Sequence, residues 1–472
     1  MNIVPAEIAN SQVPVEATPL AEAVAAQPAS LVSDQTNQPV EVNIVSWPFR
    51  IIGFCNWLVS RVFGVGCAVF FLALAASIPV VQFISLGYLF EVTGRVGRSG
   101  RLRDGFVDLG KASKMGRVVL GTWLCLLPIQ IVSGMWYSAW LIDPTSQQAS
   151  GLRILQVVLV VLTIPHILAA WFCGGRLRHF FWPLIAPFSL ALWGARNLLA
   201  IPAVKQTVDS FTSWAAPGFA EDIAAVRSIE NWFLPAVLIK NLFNGKLFIE
   251  ARDKLWNFLV SLNLPYYFVL GFKGFVGSFC WLFGPTMLLI GSTMLVSDAR
   301  LSTDEIAGIS ALLAFAALLL CSPVFAVLPA FQAHFAAERR LACFCEFAEA
   351  FKIIRGAPLL YLTTVFLIFL LAVPLFLFDI ERVPNQLIWS LVIVFMVLIW
   401  PGKILLGWTY GKGAKRDKPK AWWYSIPVIM LTTPVAFAYG FLLFFTRYTS
   451  WNGTWSMLEN EVFLLPSPFW LM

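Results

Sequence analysis

Histidine is almost missing from this chain, with three in 472 residues, and charged side chains make up only 12% of it. So few imidazoles leave little for acid–base catalysis or for the usual zinc ligand sets. No CxxC pair, GxSxG or HExxH occurs, so the common hydrolase and zinc routes lack their signatures. No cofactor motif is read either, and Gly407-Trp-Thr-Tyr-Gly-Lys412 is one residue short of a nucleotide-binding loop. No lysine or arginine precedes Arg50, so no cleavable signal peptide is expected.

Apolar side chains fill the space that charge leaves: 59% of residues are hydrophobic and 15% aromatic. About a quarter of an average soluble domain is charged. Tracts such as Val62 to Phe90 exceed the roughly 20 apolar residues that cross a hydrocarbon core. They are apolar all round, which suits helices and not alternating barrel strands. The fold expected is an all-α, polytopic transmembrane helical bundle of about eight spans with interfacial amphipathic helices. The spans run Val62–Phe90, Val118–Ile142, Ile154–Cys173, Phe275–Val296, Ala307–Phe331, Pro358–Phe378, Leu387–Trp400 with an extension to Trp408, and Ile426–Thr446.

Around these spans, residues 1–42 form a lysine-free acidic tail expected to be disordered, and 43–61 an interfacial amphipathic helix. Residues 62–173 hold spans one to three and 275–446 spans four to eight. Between them, 174–274 is expected as amphipathic or partly embedded pieces, broken by Pro183, Pro187, Asn263 and Pro265. Residues 447–472 form an extracytoplasmic tail.

Lysine and arginine then orient the chain, because cytoplasmic loops carry their excess. Twenty-seven of the 33 fall in 91–117, 174–274 and the segments after spans five and seven, whereas Arg50, Arg61, Arg153, Arg300, Arg382 and Arg447 fall opposite. This places the basic segments in the cytoplasm and both termini outside. The net charge of +7 suits anionic headgroups better than nucleic acid, since no compact groove-reading domain is present.

Candidate residues are few. Gln82, Gln130, Gln156 and His166 are polar groups at membrane depth that would form an intramembrane seam if they converge. Such residues also serve as plain interhelical contacts. Arg95, Arg98, Arg101 and Arg103, among glycines, and Arg176 and Arg178, among aromatics, are candidate contacts to lipid phosphates. His334 and Glu338 stand four apart on one helix face; with no third ligand nearby, an ion pair is expected and no metal. Cys67, Cys125, Cys173, Cys280 and Cys321 lie in apolar tracts as small core residues. Proline recurs in the spans, and Ser77-Ile-Pro79 and Cys321-Ser-Pro323 open two triplets that would be parallel repeats.

The segments Ser85–Phe106, Gly174-Gly-Arg-Leu-Arg-His-Phe-Phe-Trp-Pro183, Leu264–Gly277 and Phe463–Phe469 together resemble an uncharacterised family of bacterial polytopic membrane proteins, in which a Gly-Tyr helix end leads into a basic Arg/Gly loop. The resemblance implies the bacterial inner membrane and supplies no catalytic residue. A non-catalytic scaffold or lipid-interacting accessory protein, with anionic headgroups and other membrane proteins as partners, is the function expected. A transporter or channel built on the polar seam is the alternative.

Overall fold

The computed structural model describes residues 47–202, 247–297, 304–378, 388–416, 421–449 and 463–464, with isolated positions from 204 to 239. The expected tail 1–42 and most of 203–246 and 450–472 lie outside them. The chain divides into two units, Met1–Cys55 and Asn56–Met472. Of the first, only the opening turns of one helix are described.

Every regular element described is helical. In order these are α1 Trp47–Ala76, α2 Gln82–Ser99, α3 Leu109–Ile142, α4 Gln147–Phe172, α5 Leu177–Phe180, α6 Trp182–Ala200, α7 Leu247–Ser261 and α8 Leu264–Ser297. Then follow α9 Asp304–Glu338, α10 Phe347–Gly356, α11 Pro358–Phe378, α12 Ile388–Ala414 and α13 Ser425–Thr449. Seven helical stretches are long and apolar enough to cross a membrane, and an eighth if α10 and α11, bent by 101°, count as one. The all-helical, multi-pass architecture expected from the sequence is the one observed.

Its first span is different. Val62–Phe90 is not one helix: the chain breaks at Ser77–Val81, where Val80 takes a left-handed φ of 71°, and Ser85 Oγ donates to the Leu72 carbonyl at 2.7 Å. Such a contact across the break makes α1 and α2 a hairpin. Pro79 cannot donate to a continuing helix, and the tip exposes Ile78 and Val80. Pro323, its counterpart in the expected repeat, instead lies inside an unbroken α9, so the two triplets do not share this feature.

α2 is the hub. It packs against α8, α9 and α12, and 14 of its 18 residues are buried. Small residues let backbones meet: a Cβ at Gly87 would fall 1.8 Å from the Tyr267 carbonyl oxygen, and one at Gly407 2.3 Å from that of Thr93. Close approach through glycine is a common source of helix association in lipid. By contrast α3 and α4 pack chiefly on each other and on α5, around the small cluster of Ile167, Ala170 and Phe180. Their outer faces expose Ile131, Met135, Val157, Val161 and Leu162.

Two further boundaries move. α8 begins at Leu264, not Phe275, because Asn263 adopts φ 50° and Pro265 falls in the first turn, where its missing donor costs nothing. Phe463 and Leu464, expected in an external tail, are buried in the core. The Phe463 ring stacks on Phe325 at 5.6 Å and meets Phe369 edge-on at 6.0 Å.

Candidate functional site

At one end of the bundle the basic segments come together. The Arg98 guanidinium donates to the Ala336 and Ala337 carbonyls, Lys415 Nζ to Ser99, Arg416 to Gly356 and Lys111 to Ser261. The centre of this end is Glu91 on α2, whose side chain is 4% exposed. Arg95 donates to it at 2.9 Å, Arg98 at 3.3 Å and Arg339 at 3.2 Å, and the Tyr266 hydroxyl donates to its other oxygen. Arg339 also lies over the Tyr266 ring at 5.4 Å. Burial pushes the Glu91 carboxyl up, but the hydrogen bonds of Tyr266 and Arg95 and the charges of Arg339 and Arg98 outweigh it and hold it below the usual range. Three guanidiniums, each roughly two-fifths exposed, share one carboxylate, leaving a fixed surplus of positive charge.

Deeper lies Lys403 on α12, 4% exposed. Its Nζ donates to Gln332 Oε1 at 2.8 Å and sits 5.0 Å from the Phe90 ring centroid. Gln332 Nε2 donates onward to Ser278 Oγ at 2.8 Å and to the Phe463 carbonyl at 3.1 Å. Among the described residues no carboxylate pairs with Lys403. Beside it is a cavity of about 20 Å³, bounded by Gln332, Gly402, Lys403, Phe395, Ile399 and Phe463. That is room for a water molecule. Lys403 is one of the residues counted above as basic surface; it follows the aromatic Trp400 that marks a membrane boundary in the sequence. The apolar Ile404-Leu-Leu-Gly-Trp408 after it was the available signal of burial.

The pair expected between His334 and Glu338 is not formed. His334 Nε2 instead contacts Glu346 Oε2 at 2.6 Å, because the chain reverses at Arg339, with φ 62°, and returns Leu341–Glu346 beneath the end of α9. Cys343 joins them, which supplies the third ligand type missing from the sequence reading. A fold-back of this kind has no i,i+4 spacing to reveal it.

The glutamine seam is not assembled. Gln82 is buried on α2 with Oε1 lacking a hydrogen-bond partner, but Gln130 is exposed on α3, Gln156 is half-buried on α4, and His166 Nε2 contacts the Phe180 carbonyl at 2.9 Å. The physical reason is that α3 and α4 form their own pair away from the α2 hub. Of the arginines, Arg95 and Arg98 are helical and bound to Glu91, since α2 continues to Ser99 before Gly100 closes it in a left-handed turn. Arg101 and Arg103 follow it, exposed. Arg176 is exposed beside α5, and Arg178 lies within α5.

Residues 260–380 match a family described as a protein of unknown function, DUF4013. The match takes in α8, α9, α10 and α11, hence Tyr266, Gln332, His334 and Arg339. No curated protein and no solved structure matches the chain.

Proposed function

We propose that this chain is a non-catalytic multi-pass protein of the bacterial inner membrane whose basic end faces the cytoplasm and holds anionic lipid headgroups. The observation that carries it is the surplus charge of Arg95, Arg98 and Arg339 around Glu91. Partly exposed guanidiniums held in place by one carboxylate retain donors for a phosphate, and bidentate donation suits that group. Positive-inside bias supports the cytoplasmic side. Native mass spectrometry of protein extracted from mixed-lipid nanodiscs tests it. Anionic lipid should be retained over zwitterionic lipid by the wild type and by the exposed Arg153→Gln control, and several-fold less by Arg95→Gln and Arg339→Gln. Equal retention of both lipid classes by the wild type would overturn the proposal.

The alternative, a transporter, is favoured by a different residue from those expected. Lys403 is an ionisable group at membrane depth beside a cavity, the usual mark of a substrate or proton site. Untargeted metabolite uptake into vesicles bearing wild-type or Lys403→Met protein decides this reading. Identical uptake profiles would remove it.

A further inference from the structure

We propose that His334, Cys343 and Glu346 bind a divalent transition ion of the zinc type at the basic end of the bundle. An imidazole nitrogen, a thiol sulfur and a carboxylate oxygen here lie within 4.8 Å of one another. Ligand atoms around a tetrahedral zinc, with bonds of about 2.0–2.3 Å, stand roughly 3.3–3.8 Å apart. Only the contact between His334 Nε2 and Glu346 Oε2, now 2.6 Å, must open, and it widens by under about 1 Å when an ion replaces the shared proton.

The surroundings fit that ion. His334 and Cys343 are buried, while the Glu346 side chain is 31% exposed, so the entry path runs past the carboxylate. Three protein ligands leave a fourth position for water. His334 Nδ1 faces the Tyr410 hydroxyl at 3.4 Å, an outer partner of the kind that fixes a ligating imidazole. Arg340 holds Glu346 Oε1 at 3.4 Å, which leaves Oε2 for the ion. On binding, the Cys343 thiol proton and the proton between His334 and Glu346 pass to solvent, and thiolate plus carboxylate balance the two positive charges. Thiolate and imidazole together select zinc over magnesium or calcium.

A simple ion pair tying α9 to α10 would need His334 and Glu346 but not Cys343, and the test turns on that difference. It stands apart from the lipid proposal, whose arginines it does not use as ligands. Full-length protein in detergent, stripped with chelator and dialysed, is titrated with Zn²⁺ and with Co²⁺. One equivalent per chain is expected, with a thiolate-to-cobalt charge-transfer band. Cys343→Ser should abolish the band and weaken zinc binding at least tenfold while keeping the helical circular dichroism, whereas Cys345→Ser, two residues away and exposed, should change neither. No stoichiometric metal in the wild type, or a band that survives Cys343→Ser, would overturn the site.

Discussion

Glu91 is the residue on which the most charge depends. Glu91→Gln keeps the side-chain shape but leaves three guanidiniums, each about two-fifths exposed, without a counter-charge, and loses charge-assisted hydrogen bonds of about 1.5–3 kcal/mol. The melting temperature of the purified protein should fall accordingly. The sign with pH follows from the depressed carboxyl: its stabilisation is fully present above the unfolded value of about 4.3 and is lost as pH falls through the lower folded value. The gap between wild type and Glu91→Gln should therefore be full at pH 7 and narrow below about pH 4; a gap that widens on acidification would contradict the assignment. Lys403 predicts the opposite behaviour. Its ammonium is buried with a single hydrogen-bond acceptor, Gln332, so Lys403→Met relieves a desolvation cost and should leave stability unchanged or raise it by up to about 2 kcal/mol. A clear fall in melting temperature would make Lys403 a structural tie.

Among the elements, the long helices were legible in the sequence because their apolar runs exceed membrane thickness; α11 and α13 start and stop near the expected limits, whereas α3 and α4 end near them but begin nine and seven residues earlier, at Leu109 and Gln147. The α1–α2 break was not, since Ser77-Ile-Pro-Val80 is itself apolar and hydropathy runs through it unbroken. What distinguishes α2 is its content: Gln82, Ser85, Glu91 and Arg95 with Gly87, Gly94 and Gly97 form a helix built to be enclosed by others. The candidate sites shared this limit. Arg95 and Arg98 were visible as residues, but the other groups on Glu91, Tyr266 of α8 and Arg339 just after α9, are distant in sequence, and no local spacing announces them. Glycine at the hub makes a testable difference between elements. Gly87→Val would drive a side chain into the α8 backbone at Tyr267 and Gly271 and should cost at least about 1–3 kcal/mol. Gly134→Val, on α3, meets nothing within 4 Å and should be nearly silent in the same thermal assay.

At the scale of the whole molecule, the hairpin changes the path of the chain through the bilayer. Gly64 of α1 packs at Leu109 and Cys67 at Gly116, beside Lys111, Lys114 and Arg117, so α1 enters the bundle at its basic end. From Cys67 to Ala76 a helix rises only about 14 Å, roughly half the hydrocarbon thickness, before the exposed apolar tip turns it back. α2 then returns to the basic end, where Gly100 lies beside Lys415. Leu58–Ala76 of α1 is itself one of the seven stretches long enough to cross. Were the hairpin instead to enter and leave on one side, Arg61 would join the other basic residues and the crossings would be α3, α4, α8, α9, α12, α13 and the bent α10–α11 pair. That path would give an odd number of crossings, in contrast to the eight spans expected from the sequence. Single-cysteine variants Ser60→Cys, Ser99→Cys and Ser456→Cys, made in a chain whose eight native cysteines are replaced, measure this with a membrane-impermeant thiol reagent. Reagent applied to the outer face should label only the Ser456→Cys variant, and the other two should react only after the membrane is opened. Outer labelling of Ser60→Cys with Ser99→Cys protected would show that α1 crosses fully, and the half-depth hairpin would have to be abandoned.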